Sequence, residues 1–272
     1  MKAVFRYPGS KWSIAQWIID HFPEGYEKMV YLEPFAGSGA VFFNKKPSIV
    51  ETINDINGDV VNLFRCIRET PEELARLIAL TPYSREEYDH AFQRTENPLE
   101  MARRFLIKTT QAIGAKLNGK SGWQNHKQLE IGGTDGKWKE LPETIMYAAG
   151  RLLGGKKNLV QIENRNAFTL IAKYNSPDVL MYLDPPYLME TRKSGKLYAN
   201  EMEDQQHIQM LEIIKSSKAK IILSGYDNQL YDQMLPSWEK DSTWSKTTST
   251  QMAKETIWMN YDMPYEQMKM EE

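Results

Sequence analysis

Asp184-Pro185-Pro186-Tyr187 is the stretch whose residue types fit chemistry most directly. Asp184 offers a carboxylate acceptor. Pro185 and Pro186 have a fixed φ and no N–H, so the loop is stiff and presents carbonyl oxygens without competing donors. Tyr187 adds a flat ring on which a planar heterocycle can lie. Two acceptors beside a stacking face suit an exocyclic amine held through both of its hydrogens. The plainer reading is a strand that ends in a tight turn, with Asp chosen for turn chemistry and Tyr for packing. The surrounding motifs decide between them.

Glu33-Pro34-Phe35-Ala36-Gly37-Ser38-Gly39 is a second such stretch. Small residues in a strand-to-helix turn let a ligand approach the backbone closely. The third glycine of the dinucleotide fingerprint is missing, and Glu33 precedes the turn. A carboxylate there repels phosphate and welcomes an ammonium or sulfonium, which favours S-adenosyl-L-methionine over NAD or ATP. Asn54-Asp55 follows after about twenty residues, the spacing at which nucleoside-binding sheets hold ribose hydroxyls. Asp55 has a competing role as N-cap of a helix from Val60 to Cys66, a role that Asp59 can fill instead. Arg6-Tyr7-Pro8-Gly9-Ser10-Lys11 is a loop by its Pro-Gly pair, and Ser10 is expected to cap a helix carrying Ile14, Trp17 and Ile18. Lys11 at that helix start is disfavoured by the macrodipole, so it is either solvated or turned towards an anionic ligand.

The elements that must position these residues are legible as apolar runs. Met29 to Glu33, Ile49 to Ile53, Leu159 to Ile162, Val179 to Leu183 and Lys220 to Ser224 read as strands, and Ser242 to Thr250 with Glu255 to Tyr261 as a closing hairpin. Strands alternating with helices predict a parallel sheet, whose ligands sit at the strands' carboxyl ends. Asp204 to Ser216 is expected to be a helix with Ile208, Leu211 and Ile214 inward and His207 on its surface. The alternation stops at Thr70. Thr70-Pro71-Glu72-Glu73 and Ser84-Arg85-Glu86-Glu87 read as capping boxes and Asn97-Pro98-Leu99-Glu100 as a third helix start, and three helices in succession predict an insertion over 70–142 into a main domain of 1–69 and 143–272. Arg103 to Leu129 carries Arg103, Arg104, Lys108, Lys116, Lys120 and Lys127 and no Asp or Glu. Gln111, Asn118, Gln124, Asn125 and His126 are interspersed. Cations with amides suit phosphate contact and base-edge reading. A solvated charged face is the competing reading. A second basic loop, Arg192, Lys193 and Lys196, follows the Asp184 stretch.

The bulk composition sets limits. Of 272 residues 41% are hydrophobic and 26% charged, so a packed core is expected and disorder is not. A net charge of −2 means that any basic surface must be local. Cys66, the single cysteine, excludes a disulfide framework or a thiolate metal cluster and reads as a small buried side chain. No apolar run reaches membrane-spanning length and Met1 to Arg6 has no apolar signal region, so a reduced cytosolic compartment is expected.

Taken in order, Arg6 to Lys11, Glu33 to Gly39, Asn54-Asp55, Asp184 to Tyr187 and Leu223-Ser224-Gly225-Tyr226 resemble DNA adenine-N6 methyltransferases of the Dam type, the D12 class. The resemblance implies an α/β fold: a Rossmann-like S-adenosylmethionine-dependent methyltransferase sheet with a reversed last strand and a mainly helical inserted target-recognition domain. It implies that Tyr7 and Lys11 line the methionine end of S-adenosyl-L-methionine, that Glu33, Pro34, Phe35, Ala36, Gly37, Ser38 and Gly39 cradle it, and that Asp55 binds the ribose. Asn166 stands where the family usually carries Asp next to the cofactor adenine, and its carbonyl oxygen can still accept from the adenine amine. Asp184, Pro185, Pro186 and Tyr187 become the catalytic stretch, with Asp184 also beside the cofactor. Asp184 and the Pro185 carbonyl would draw both hydrogens of a flipped-out adenine N6, with neither metal nor covalent intermediate required. Arg103, Arg104, Lys108, Lys116, Asn118, Lys120, Gln124, Asn125, Arg192 and Lys193 become the residues facing double-stranded DNA. The same resemblance implies a bacterial or phage-infected cytoplasm, no membrane partner, and room for a restriction endonuclease partner. Two alternatives stay open. Methyltransferases of RNA or of glutamine amides more often carry Asn where Asp184 stands. A catalytically silent DNA-binding relative would not need the intact Asp184 stretch.

Overall fold

Five of the apolar runs form parallel strands: β1 (Val30–Glu33), β2 (Val50–Asn54), β3 (Leu159–Glu163), β4 (Val179–Leu183) and β5 (Lys220–Tyr226). In this computed structural model residues 3–113, 119–125, 134–191, 200–246 and 252–263 are described. β6 (Glu239–Lys246) and β7 (Met252–Met259) form the closing hairpin, and the seven strands run β3-β2-β1-β4-β5-β7-β6, with β7 antiparallel to both neighbours. This is the Rossmann-like order with a reversed last strand. The chain leaves β1 towards β2 and β3, then returns to β4 on the other side of β1. The carboxyl ends of β1 and β4 therefore flank a topological switch point, where open α/β sheets bind ligands. All five residues of β4 are buried, as a central parallel strand requires.

The helices are α1 (Ala15–Asp20), α2 (Ala40–Asn44), α3 (Gly58–Glu69), α4 (Pro71–Leu80), α5 (Arg85–His90), α6 (Pro98–Thr110), α7 (Thr134–Leu153), α8 (Ala167–Lys173), α9 (Asp204–Lys215) and α10 (Gln229–Met234). Ser84 and Asn97 cap α5 and α6 through their side chains, although Glu87 turns to Arg103 and leaves the Ser84 capping box half formed. Several expectations need correction. Ser10 caps nothing: α1 begins at Ala15, and the Ser10 hydroxyl pairs instead with Ser38. The cap of α3 is Asn57, neither Asp55 nor Asp59. The Thr70 hydroxyl turns back to the Cys66 carbonyl rather than forming a capping box. His207 is fully buried on α9, its Nδ1 2.8 Å from the Tyr231 hydroxyl, so the inward stripe is His207, Met210, Leu211 and Ile214. Among the described residues no helix is long and apolar enough to cross a membrane.

The expected boundary at 142 also falls inside a helix. Pro142 lies within α7, where it costs the hydrogen bond that its missing N–H would have given the Trp138 carbonyl. Packing compensates. Leu141 and Ile145 are buried, and the Trp138 indole donates to the Thr81 carbonyl at 3.3 Å. Leu74 of α4, Phe105 of α6 and Ile145 of α7 share one apolar cluster with Phe42, Phe64 and Val160, so these helices extend the core on one face of the sheet. Leu32, Met181, Leu211, Leu223 and Trp258 form the core on the other face. A buried charge cluster fixes α7 to the sheet. Arg151 forks onto Glu51 of β2 at 2.6 and 2.8 Å, and Lys45 pairs with the same carboxylate. Burial pushes the Glu51 carboxyl up, but the Arg151 hydrogen bonds and the Lys45 charge outweigh it and hold it below its ordinary value.

Candidate functional site

The carboxyl ends of β1 to β4 surround a cavity of about 300 Å³. Of the residues expected to hold a cofactor, Tyr7, Lys11, Glu33, Pro34, Phe35, Ala36, Gly37, Ser38, Asp55, Asn166 and Asp184 all border it, and Pro186 joins them. They come from loops up to 179 positions apart, Tyr7 to Pro186, brought together by the parallel register.

Asn54 staples three of these strand ends. Its Nδ2 donates to the Pro34 carbonyl at 2.9 Å and the Arg165 carbonyl at 3.1 Å, while its Oδ1 accepts from the Arg165 N–H at 2.8 Å. The Asp55 carboxylate accepts from the Gly37 and Asn57 N–H groups, each at 2.8 Å, and so fixes the glycine turn against β2. Gly37 has φ +49° and its Cα lies under the Tyr7 ring, where an added Cβ would come within 2.9 Å of Tyr7 carbons. Ser38 Oγ lies 2.7 Å from Ser10 Oγ and accepts from the Trp12 indole at 3.1 Å, which ties the Arg6–Lys11 loop over the turn. Gly39 does not border the cavity. It starts α2 at φ +66°, with Phe43 packed where a Cβ would stand, so its role is to shape the turn.

Three carboxyls face this one space. Burial pushes Glu33 up to about 8, against the opposing bonds from the Tyr31 hydroxyl at 2.7 Å and the Phe42 N–H at 3.0 Å. Burial raises Asp55 to about 6. Burial also raises Asp184 to about 6, opposed by Lys11 and assisted by the Glu255 charge. The Lys11 ammonium sits 3.0 Å from Asp184 Oδ1 and also bonds the Gly9 carbonyl. One buried ammonium faces the buried Glu33 and Asp55 and the partly buried Asp184, so the cavity is short of positive charge when these carboxyls are ionised. A cationic ligand would relieve that deficit.

Two of the expected residues already have partners within the protein. Tyr187 is buried and does not border the cavity. Its hydroxyl donates to Glu255 of β7 at 2.6 Å, its ring packs edge-on against Tyr226, and the Lys11 ammonium lies 4.7 Å from its centroid. It therefore presents no open stacking face in this conformation; it braces the Asp184 loop. Pro185 is likewise buried. Asn166 borders the cavity, but its Oδ1 is engaged as the cap of α8, accepting from the Phe168 N–H at 2.8 Å. Sequence reasoning missed Ile56, Phe168, Tyr182 and Met202, which give the cavity its apolar lining. Phe168 and Ile56 each follow closely on a predicted polar ligand, which is the one sequence signal that pointed to them.

The basic run of the insertion looks different in space than in sequence. Arg103 forks onto Glu100 at 2.6 and 2.9 Å and reaches Glu87 at 2.7 Å. Arg104 bonds Glu100 at 2.6 Å and the Gln93 carbonyl at 2.9 Å. Lys108 lies 3.7 Å from Asp59, and Lys120 2.6 Å from Asp89. Of the cations in this run that are described, Arg103, Arg104, Lys108 and Lys120 each thus lie beside an acid from outside it, and Arg103 and Arg104 are engaged in holding α5 and α6 together. Gln124 is held in a small β-bridged loop, its N–H on the Gln111 carbonyl at 2.8 Å and its own carbonyl accepting from Tyr83 at 3.0 Å. Asn125 is exposed beside it. Lys116, Asn118, Lys127, Arg192, Lys193 and Lys196 lie outside the described residues. Arg103→Ala is therefore expected to lower stability, by roughly 1.5–3 kcal/mol for lost bonds to charged groups. The slope of log DNA affinity against log salt should stay unchanged. Urea unfolding and a salt series of DNA titrations check the two halves separately.

The family description "D12 class N6 adenine-specific DNA methyltransferase" matches residues 7–250. The Type II methyltransferase M1.LlaDCHI of Lactococcus lactis subsp. cremoris is 36% identical over 81 residues, which is 30% of this chain and 27% of that protein. That match spans about a quarter of the Lactococcus protein's length. The DNA adenine methylase of Escherichia coli (strain K12) is 24% identical over 249 residues, covering 84% of this chain and 82% of that protein. Among solved structures, the rRNA methyltransferase aviRa from Streptomyces viridochromogenes matches with a TM-score of 0.42 at 13% identity, over 94% of this chain and 88% of that one.

Proposed function

The chain belongs to the D12 class of N6 adenine-specific DNA methyltransferases, and we propose that the cavity between β1 and β4 holds S-adenosyl-L-methionine beside a flipped-out adenine of duplex DNA. The observation that supports this most is the gathering of three carboxyls, the buried Glu33 and Asp55 and the partly buried Asp184, around one cavity of ligand size. The donor set fits the cofactor. Glu33 and Asp184 favour its ammonium or sulfonium, Asp55 keeps lone pairs for ribose hydroxyls, and Ile56 and Phe168 offer apolar surface to its adenine. Asn166, with Oδ1 already capping α8, meets that adenine through its remaining amide capacity. When bound, the cofactor supplies an electrophilic methyl group on a sulfonium.

The chain's own residues prepare the nucleophile. Adenine N6 is a poor one, because its lone pair is delocalised into the ring. Asp184 and the Pro185 carbonyl accept its two hydrogens and draw the nitrogen towards a tetrahedral arrangement. Asp184 is also the acceptor nearest to the proton that N6 must lose. Lys11 keeps Asp184 ionised against the effect of burial, and it shares the carboxylate with the incoming amine, since an ionised carboxylate has about four lone-pair sites. Taking the base out of the duplex costs a few kcal/mol. Stacking on Tyr187 to offset that cost requires the Lys11 ammonium to leave its ring. The enzyme works on DNA in the cytoplasm of a bacterial or phage-infected cell; a restriction endonuclease partner rests on the resemblance alone.

The test is direct. Purified protein, unmethylated plasmid DNA and S-adenosyl-L-methionine should yield N6-methyldeoxyadenosine on digestion to nucleosides. Sequencing the modified adenines then gives the recognition site. Methyl incorporation into RNA or a glutamine amide, with none in DNA, would overturn the reading.

A further inference from the structure

The closing hairpin does not end where the sheet ends. Tyr226, the last residue of β5, pairs with Glu255 of β7, so Met252, Ala253 and Lys254 run on past β5. Their β6 partners Lys246, Ser245 and Trp244 run on with them. Three residues at about 3.4 Å each make a two-stranded arm that reaches ~10 Å beyond the carboxyl edge. That is the edge on which the cavity opens. The arm's root is fixed to the active site, because Glu255 is the residue that accepts from Tyr187.

The arm's surface is unlike that of a hairpin facing only water. Trp244 is 63% exposed and Met252 51%. On an antiparallel ladder Trp244 lies opposite Lys254 and diagonal to Met252, so the three share one face. A large aromatic side chain left in solvent on an arm that stands past the carboxyl edge marks a contact surface more often than an isolated surface Leu does. From Ser242 to Lys254 the sequence holds Lys246, Lys254 and seven Ser or Thr, with no Asp or Glu. The Lys254 side chain is 47% exposed. Glu255 is turned inward onto Tyr187 and Ser245, and Asp227 reaches Lys254 only at 3.7 Å while bonding Lys240 at 2.7 Å.

The strand order places the arm opposite the insertion. The inserted helices leave from β2 and return to β3 at one end of the sheet, the hairpin closes the other end, and the β1–β4 cavity lies between. We infer that the β6–β7 arm is a second contact surface for duplex DNA. Trp244 offers its face to the nucleotides next to the flipped adenine, and Lys254 meets the backbone phosphate. This rests on the reading that DNA crosses the carboxyl edge above the cavity. Chemistry favours the assignment: hydroxyls and lysines are phosphate contacts, and aromatic faces take up bases that have lost a neighbour.

The experiment compares wild type with a Trp244→Ala/Lys254→Ala variant. A fluorescent duplex carrying the mapped methylation site is titrated in the presence of S-adenosylhomocysteine at several salt concentrations. The variant's Kd should rise about tenfold or more, and its salt slope should fall by about one. The KM for DNA should rise, while kcat at saturating DNA and S-adenosylhomocysteine affinity stay within about twofold. Trp244→Phe, which keeps an aromatic face, should recover most of the affinity lost in Trp244→Ala. Unchanged Kd and salt slope in the double variant, with methylation still proceeding, would overturn the inference and leave the proposed activity standing. Equal losses in the Phe and Ala variants would overturn the aromatic contact.

Discussion

Asp184→Ala is expected to abolish methyl transfer, lowering single-turnover rate by roughly 10³-fold, the scale for removing one charged group at a reacting atom. The reason is positional. Asp184 is the one carboxylate that both leaves the end of the central strand β4 and carries the Lys11 ion pair at the cavity wall. Asp184→Asn separates charge from shape. One oxygen still accepts from N6, so the loss should be smaller, about 10²-fold, and affinity for S-adenosylhomocysteine should change little. The pH dependence gives an independent check. Burial raises Asp184 to about 6, and the ionised form is the acceptor. Turnover of the wild type should therefore fall as pH drops through about 6, and that limb should vanish from the residual activity of Asp184→Asn. Melting temperatures guard against a trivial loss, because the Ala variant leaves the buried Lys11 ammonium without its carboxylate. Wild-type turnover in a folded Asp184→Ala variant would sink the assignment of this stretch.

What the sequence showed and hid follows from the range of the forces involved. The five parallel strands were legible because each is a short apolar run, and burial of such a run is set mainly by its own composition. Glu33, Asp55 and Asp184 were legible for a related reason. Each is a carboxylate directly at or after a strand end, and parallel register carries all strand ends to one edge. Side-chain partners from distant segments were not legible. Tyr187 looked open because nothing near it in sequence announces Glu255, 68 positions later on an antiparallel strand. Arg103 and Arg104 looked available because a count of acids within the run misses Glu87 and Glu100, which flank it. His207 was misplaced because its own residue type suggested surface, whereas the helical stripe of Met210, Leu211 and Ile214 continues through it. Asn54 was noticed as part of a motif but not as the staple it is, since its three partners lie on two other strand ends.

Glu33→Gln should push stability and cofactor binding in opposite directions. Burial pushes Glu33 up to about 8 in the folded state, against 4.5 for an ordinary glutamate carboxyl in water. Between those two values the folded state holds the proton that the unfolded state has lost. Ligand-free stability contributed by this group therefore falls as pH rises from about 4.5, and the full penalty is present above about 8. Gln is neutral at every pH and keeps an oxygen for the Tyr31 hydroxyl. The variant should thus be more stable than wild type without ligand at pH 8.5, on the order of 1–3 kcal/mol, and about equal to it at pH 4.5. Cofactor affinity should go the other way. Wild-type affinity for S-adenosyl-L-methionine should strengthen as pH rises through about 8, because the ligand's positive charge favours the ionised carboxylate. The variant should bind roughly 10–100-fold more weakly at pH 8.5 and show no such trend. Parallel titrations with S-adenosylhomocysteine locate the contact. A loss confined to S-adenosyl-L-methionine places the sulfonium at Glu33, and an equal loss for both ligands places the shared ammonium there. Unchanged affinity for both at pH 8.5 would remove Glu33 from the cofactor site and leave its burial as a cost of the fold alone.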